Sequence, residues 1–99
     1  MSDEIQASHI LIATDGKSKE DALAQINDIK VKIDGGEDFA DLARAHSDCP
    51  SGSNGGDLGM FSQGMMVPEF DKAAFELEDG GLSDVVETGF GYHLIQRTA

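Results

Sequence analysis

The sequence is poor in cysteine, in basic residues and in long apolar runs. It has 99 residues, and a single cysteine among them excludes an internal disulfide. Seven Lys and Arg against 19 Asp and Glu give a formal net charge of −12. This charge disfavours nucleic acid and anionic lipid, because both are bound through basic side chains. No apolar run approaches the roughly 20 residues that span a bilayer, so we expect neither a nucleic-acid partner nor a membrane.

The first residues and the chain length bear on the cellular location and the domain organisation of the protein. Residues 1–6 read MSDEIQ, an acidic stretch without a basic start and a following apolar run, so no signal peptide is visible. We expect a cytoplasmic protein, although a domain taken from a longer exported protein would read in the same way. A chain of 99 residues supports one hydrophobic core. We therefore expect a single domain over residues 1–99 that works as a monomer.

The first half of the chain shows one strand and two helices. Residues 5–13 carry apolar side chains on both faces, which is typical of a central strand covered on both sides. Ser18 resembles a helix N-cap, and the helix that follows is expected to stop at Gly35. A second helix is predicted over residues 39–46. Residues 49–59, CPSGSNGGDLG, have the composition of a loop with tight turns.

The second half predicts a third helix and three short strands. A strand is expected over residues 58–61, and Pro68 suits the first turn of a helix that the Gly80-Gly81 pair would end. The pattern then predicts two closing strands, residues 84–87 and 90–97, with Thr88-Gly89 as the hairpin turn. The result is an α+β domain with a small sheet in which the first and last strands can be neighbours.

Histidine and cysteine are the side chains best suited to acid–base or nucleophilic chemistry here. His9 lies on the first predicted strand and His93 on the last, so the two can meet if these strands pair. Cys49 lies at the mouth of the glycine-rich loop and can open onto the same place. His46, at the end of its helix, is interpreted as structural.

These residues leave three interpretations open. A zinc site would use three histidines and one cysteine, but the closely spaced ligand pairs of structural zinc sites are missing. A cysteine hydrolase lacks a recognisable nucleophile motif. In the third interpretation His9 and His93 only bond each other inside the core, one donating and one accepting. That arrangement is compatible with a pair that shapes a nearby site.

A second group of candidates is apolar. Met and aromatic side chains at helical spacing usually belong to the core. Met66 and Phe70, however, flank a junction between a loop and a helix, where side chains can remain at the surface and line a pocket for a small apolar group. The whole group comprises Leu58, Phe61, Met65, Met66, Phe70 and Phe90.

Four separated segments resemble the parvulin family of prolyl isomerases. They are SHIL at residues 8–11, HSDCPSG at 46–52, GGDLGMFSQGMMVPEFDKAAF at 55–75 and FGYHLI at 90–95, in family order over nearly the whole chain. The resemblance implies a four-stranded antiparallel sheet surrounded by four helices, in the order β-α-α-α-β-α-β-β. It implies a peptidyl-prolyl cis/trans isomerase without metal or cofactor, whose partners are proline-containing peptides and unfolded protein segments.

The same resemblance implies the roles of individual residues. His9 and His93 match the paired histidines beneath the family's active site, and Thr88 matches a threonine that supports them in some members. Cys49 matches a position that is cysteine in many members and aspartate in others, so we expect non-covalent stabilisation of the twisted amide. The proline pocket is expected to comprise Leu58, Met66 and Phe70, with Phe90 as a further apolar wall.

The chain departs from the family pattern in two places. Met65 stands where glutamine is usual, so no polar contact is expected from that position. The phosphate-selective branch carries a basic cluster after the first strand, whereas residues 13–21 read ATDGKSKED here, with two lysines diluted by acids. We therefore expect no preference for phosphorylated Ser/Thr-Pro.

A different class of function stays open beside the isomerase. The same groove can serve a chaperone-type module that binds extended peptide with weak or no isomerase activity. Such a module would bind proline-containing peptides and leave their cis/trans exchange rate unchanged.

Overall fold

A central strand with two apolar faces holds the domain together. The computed structural model describes residues 4–98. Its elements follow in the order β1 (Glu4–Ala13), α1 (Lys19–Asp34), α2 (Phe39–His46), a 3₁₀ helix (Pro50–Asn54), β2 (Asp57–Ser62), α3 (Pro68–Glu76), β3 (Val86–Thr88) and β4 (Gly91–Arg97). The expected α+β fold with a short helix in the glycine-rich loop is confirmed. No helix among residues 4–98 is long and apolar enough to cross a bilayer.

The four strands form one antiparallel sheet in the order β2-β1-β4-β3. The first and last strands are therefore neighbours, as predicted. In their register Leu11 lies opposite His93, and His9 lies opposite Ile95. Since side chains two residues apart on a strand share a face, His9 and His93 come out on the same face of the sheet, on a diagonal.

The core lies on both sides of this sheet. On one side Ile10 and Ile12 of β1 pack against α1 and α2, and on the other Ile5 and Ala7 pack against β2 and α3. This division follows the alternation of the β1 sequence, because successive side chains point to opposite faces. Around these strand residues lie the buried side chains of the helices and the other strands, including Ile26, Ile29, Phe39, Phe61, Phe70, Leu94 and Ile95.

The first two helices begin where side-chain oxygens cap them. The Ser18 hydroxyl accepts a 3.1 Å hydrogen bond from the N–H of Asp21, and an Asp38 carboxylate oxygen accepts one of 3.2 Å from Asp41. Both bonds satisfy donors that the first helical turn leaves free. Helix α1 ends before Gly35, as the sequence predicted.

Helix α3 is shorter than the sequence suggested. It ends at Glu76 rather than at the Gly80-Gly81 pair, because Leu77 adopts an extended backbone with φ −78° and ψ 145°. The Leu77 carbonyl accepts a 2.8 Å hydrogen bond from Arg97 Nη1, and the Gly80 N–H donates one of 2.8 Å to the Arg97 carbonyl. These contacts hold the chain beside β4, where a continuing helix could not lie.

The closing hairpin is also shifted from its predicted position. Thr88 pairs with Gly91, so the two turn residues are Gly89 and Phe90 instead of Thr88-Gly89. Strand β3 begins at Val86, two residues later than expected, and the bonds to Ile95 come from Ser83, which lies before the strand. Its N–H donates 2.8 Å to the Ile95 carbonyl, and its hydroxyl accepts 3.0 Å from the Ile95 N–H.

Candidate active site

A cavity of about 360 Å³ opens on the face of the sheet that carries the two histidines. Its lining includes seven of the eight residues that the sequence analysis proposed for the site: His9, Cys49, His93, Leu58, Met66, Phe70 and Phe90. Thr88, the eighth, lies behind His93 and is bonded to it. The structure thus brings together side chains from β1, the 3₁₀ segment, β2, α3 and the closing hairpin.

The apolar wall of the cavity forms where a loop enters α3. Met66 is half-buried just before the helix, and Phe70 is buried in its first turn with 3% of its surface exposed. The ring of Phe70 meets both histidines edge-on, with centroids 5.5 Å from each. Leu58 of β2 completes the wall, and Phe90 stands at its rim with 62% of its surface exposed.

Two of the apolar candidates lie elsewhere. Phe61 is buried in the core on the same side of the sheet, where its ring meets that of Phe75 at a centroid distance of 5.8 Å. Met65 is 67% exposed and does not line the cavity. The difference between Met65 and Met66 follows from the turn into α3, which sends adjacent side chains in different directions.

The two histidines form a buried, directly bonded pair. Their Nδ1 atoms lie 3.1 Å apart, and the rings are nearly parallel, with an angle of 18° between their planes and centroids 5.3 Å apart. The pKa of His9 and of His93 is lowered from 6.5 to about 4, in both cases through burial, with the neighbouring His93 as a second cause of the shift at His9. Both rings are therefore neutral near pH 7, so one Nδ1 donates and the other accepts.

Thr88 holds the outer side of this pair. Its hydroxyl lies 2.7 Å from His93 Nε2 and accepts a 3.2 Å hydrogen bond from the N–H of Phe90. The expected support of the histidines by Thr88 agrees with this contact. It also explains the shifted hairpin, because Thr88 must lie in the strand for its side chain to reach His93.

Cys49 reaches the cavity because the segment after α2 runs along the free part of β1. The Ser47 hydroxyl accepts a 3.1 Å hydrogen bond from the Leu11 N–H, and the Asp48 N–H donates one of 2.7 Å to the Leu11 carbonyl. Asp48 Oδ2 accepts a further bond of 2.9 Å from the N–H of Ala13. These contacts act in place of a strand ladder and leave Cys49 as a half-buried free thiol facing the histidines.

Ser51 is the polar contact that the sequence analysis missed. Its hydroxyl lies 3.2 Å from His9 Nε2 and donates a 3.2 Å hydrogen bond to Cys49 Sγ. The position of Ser51 inside the HSDCPSG segment is the signal that could have identified it, since a 3₁₀ turn folds residue 51 back towards residue 49.

His46 lies away from the cavity. It occupies the last turn of α2 and takes no part in the cavity lining. Within residues 4–98 no group of three or more His, Cys, Asp or Glu side chains is placed to hold a metal ion.

Known proteins share both this sequence and this fold. The chain is 48% identical over 96 residues to the foldase protein PrsA of Geobacillus kaustophilus, covering 96% of this chain and 31% of that protein. It thus spans about a third of the length of the first curated relatives that it matches.

Two solved structures match the chain over their whole length or nearly so. The solution structure of TbPIN1 aligns with a TM-score of 0.92 at 33% identity, covering 100% of both chains. That of NmPin, the parvulin of Nitrosopumilus maritimus, aligns with a TM-score of 0.77 at 40% identity, covering 100% of this chain and 99% of the other. The model of the PPIC-type PPIase (rotamase) domain matches residues 9–99. The chain therefore belongs to the PPIC-type rotamase family, the parvulins.

Proposed function

We propose that this domain is a peptidyl-prolyl cis/trans isomerase that acts on Xaa-Pro bonds in extended or unfolded polypeptide. The observation that carries the proposal is the cavity itself. It places an apolar wall of Leu58, Met66 and Phe70 directly beside a neutral, hydrogen-bonded histidine pair. Its volume of about 360 Å³ leaves room for a pyrrolidine ring and the adjoining amide.

The apolar wall lowers the barrier by excluding water. Rotation about the amide bond is slow because resonance must be lost, at a cost of about 18–20 kcal/mol. A twisted amide is less charge-separated than a planar one, so an apolar surface favours it more than water does. Met66 and Phe70 hold the pyrrolidine ring while the carbonyl turns. The site thus binds the twisted transition state more tightly than the planar ground state.

The histidine pair and Cys49 supply dipoles rather than charge to the cavity. His9 and His93 are neutral, and Cys49 presents a thiol beside them. The rotating carbonyl thus meets groups that can donate or accept weak hydrogen bonds without forming a covalent bond. Catalysis is non-covalent, and the reaction needs no cofactor.

The charges near the cavity favour unphosphorylated substrates. Both lysines in the stretch from β1 to the start of α1 have partners, Lys19 in a 3.2 Å ion pair with Glu87 and Lys17 in a 2.9 Å hydrogen bond to Gln25. The single charged side chain in the cavity lining is Asp48. A phosphate before the proline would meet the Asp48 carboxylate and no Lys or Arg side chain in the cavity lining, so we propose that it is disfavoured.

The wider role of the protein is proposed from its relatives. They include proteins named foldase and chaperone, which supports assistance to protein folding as the biological role. The single-domain organisation over residues 1–99 is supported by NmPin and TbPIN1, whose chains are matched over 99% and 100% of their length. A monomeric state and a cytoplasmic location stay predictions, which light scattering and cell fractionation would check.

Exchange spectroscopy by NMR on unphosphorylated Xaa-Pro peptides tests the isomerase. We expect catalytic amounts of the domain to accelerate exchange, and Met66→Ala to lower kcat/KM about tenfold to thirtyfold through lost apolar contact with the ring. Met60→Ala is the matched control, because Met60 is 56% exposed and lies outside the cavity. A folded domain that binds the peptides without accelerating exchange would establish the peptide-binding module instead.

A further inference from the structure

A second cavity, of about 340 Å³, lies beside the C-terminal half of α3. Among residues 4–98 it shares no lining residue with the candidate active site. The exposed side chains of Glu76 and Asp84 bring two carboxylates to its lining, so we call it the acidic cavity. The rest of its lining is mainly apolar and half-buried: Ala73, Leu77, Leu82 and Val86.

The acidic cavity adjoins the candidate active site along two elements. On α3, Phe70 lines the active-site cavity and Ala73, three residues later, lines the acidic one. On the sheet, His93 lines the active-site cavity, and Val86, which pairs with it across β3 and β4, lines the acidic one. Three helical residues rise about 4.5 Å, and paired strand residues have Cα atoms about 4.5–5.5 Å apart. The two cavities are therefore neighbours on the same side of the sheet.

The chemistry of the acidic cavity suits a lysine or arginine side chain. None of the ion pairs of residues 4–98 involves Glu76 or Asp84. Arg97 bonds the Leu77 carbonyl at 2.8 Å but does not line the cavity. Residues 69–87 also hold seven of the 19 acidic residues and only one of the seven basic ones. A long basic side chain can lay its apolar stem on the apolar lining and keep its charge beside the carboxylates.

We propose that the acidic cavity binds a lysine or arginine side chain of the substrate polypeptide, two to four residues from the proline that is isomerised. The spacing follows from the size of the step between the cavities, because two to four residues of extended chain cover about 7–13 Å. The proposal rests on the isomerase function, since it adds a second contact to the same bound chain. This contact lowers KM, and it weakens as salt screens the charges.

A positional scan of peptides tests the acidic cavity. Each unphosphorylated peptide has one Ala-Pro bond and a single lysine two, three or four residues before or after the proline, with glutamine at the same position as the reference. Alanine directly before the proline keeps the effect of Asp48 out of the comparison. NMR exchange spectroscopy on the full-length domain at low salt gives kcat/KM. We expect lysine on one side of the proline to raise kcat/KM about threefold to tenfold through a lower KM.

Two double variants show whether the effect belongs to the cavity. Glu76→Gln with Asp84→Asn removes both charges and keeps the side-chain shapes. We expect it to lose the lysine effect and to turn over the glutamine peptides like the wild type, because neither residue lines the active-site cavity. Glu78→Gln with Asp79→Asn is the matched control, since it removes the same charge from exposed neighbours outside the cavity lining. We expect this control to keep the lysine effect.

The same scan can overturn the proposal. If no lysine position exceeds its glutamine reference in a wild type that accelerates exchange, the acidic cavity does not bind the substrate chain. An equal loss of the lysine effect in both double variants would indicate general attraction by the net charge of −12 instead of a site.

Amide chemical shifts make the test independent of turnover. Titration with the best lysine peptide should shift the amide signals of residues 82–86 in the wild type and leave them unchanged in the Glu76→Gln, Asp84→Asn variant. If these shifts appear but no peptide is accelerated, the binding of a basic side chain stands and the isomerase fails. Equal shifts from a lysine peptide without proline, with no gain in kcat/KM, would overturn the link to the substrate and assign the cavity to a separate basic partner.

Discussion

The N–H of His9 donates a 2.9 Å hydrogen bond to the carbonyl of Gly56, and the two backbones touch at this point. Gly56 has a φ of +83°, and a Cβ on it would overlap the carbonyl oxygen of His9. The contact fastens the end of the glycine-rich loop to the central strand at His9. The loop can therefore present Cys49 and Ser51 to the cavity only if residue 56 has no side chain.

Replacing Gly56 by alanine tests this close approach. We expect a loss of about 2–4 kcal/mol in the free energy of unfolding, from the left-handed backbone together with the overlap on His9. Gly59→Ala is the control, since Gly59 has a φ of +70° but open space around its Cβ position. It is expected to cost about 1 kcal/mol for the backbone alone. Equal losses in urea unfolding of the two variants would contradict the contact.

The histidine pair predicts how stability depends on pH. Folding lowers the pKa of His9 and of His93 from 6.5 to about 4, so the unfolded chain binds more protons between these values. Stability is therefore unaffected by the pair above pH 6.5 and decreases as the pH falls towards 4. The slope is at most about 1.4 kcal/mol per pH unit for each histidine. NMR titration of the ring protons checks this, and folded-state midpoints near 6.5 would contradict it.

Cys49→Asp distinguishes non-covalent from covalent catalysis. Because an aspartate is a poor nucleophile here but can still accept from Ser51, we expect kcat/KM to stay within about tenfold of the wild type. Circular dichroism would confirm that the variant is folded. A loss of about a thousandfold in a folded variant would instead indicate that the thiol itself attacks the carbonyl.

The charge of the residue before proline is expected to affect turnover. With Asp48 in the cavity lining, kcat/KM for a Lys-Pro peptide should exceed that for Glu-Pro about threefold to tenfold at low salt, and the ratio should shrink as salt is added. Asp48→Asn should reduce the ratio between the two peptides, because it removes the negative charge. The amide oxygen can still accept the hydrogen bond from Ala13, so the loop should stay in place. Fastest turnover of a phosphoserine-proline peptide would contradict the proposed substrate class.

Most of the architecture was predictable because periodicity reports burial directly. The alternation in β1 and the capping Ser18 are local signals, and the structure confirms both. The end of α3 was not predictable in this way. Two glycines marked a plausible stop, whereas the actual end at Glu76 depends on contacts of Leu77 with Arg97, twenty residues further along the chain.

The residues of the candidate site also fall into a predictable group and an unpredictable one. The residues of the apolar wall and the histidine pair could be predicted because they belong to several separated motifs that point to the same site. Ser51 and Asp48 were not singled out, because their importance depends on how a single turn directs them. The 3₁₀ helix brings Ser51 back to Cys49, and the pairing of residues 47 and 48 with β1 places Asp48 at the cavity.

The sheet order has a consequence for synthesis on the ribosome. The two inner strands, β1 and β4, are the first and last strands in residues 4–98, and the paired histidines are 84 positions apart. Contacts over such a separation form late, because a long loop must close before they stabilise the fold. A nascent chain whose β4 has not yet emerged from the ribosome lacks His93 and the strand that pairs with β1. The proposed isomerase site is therefore incomplete until that strand has been translated.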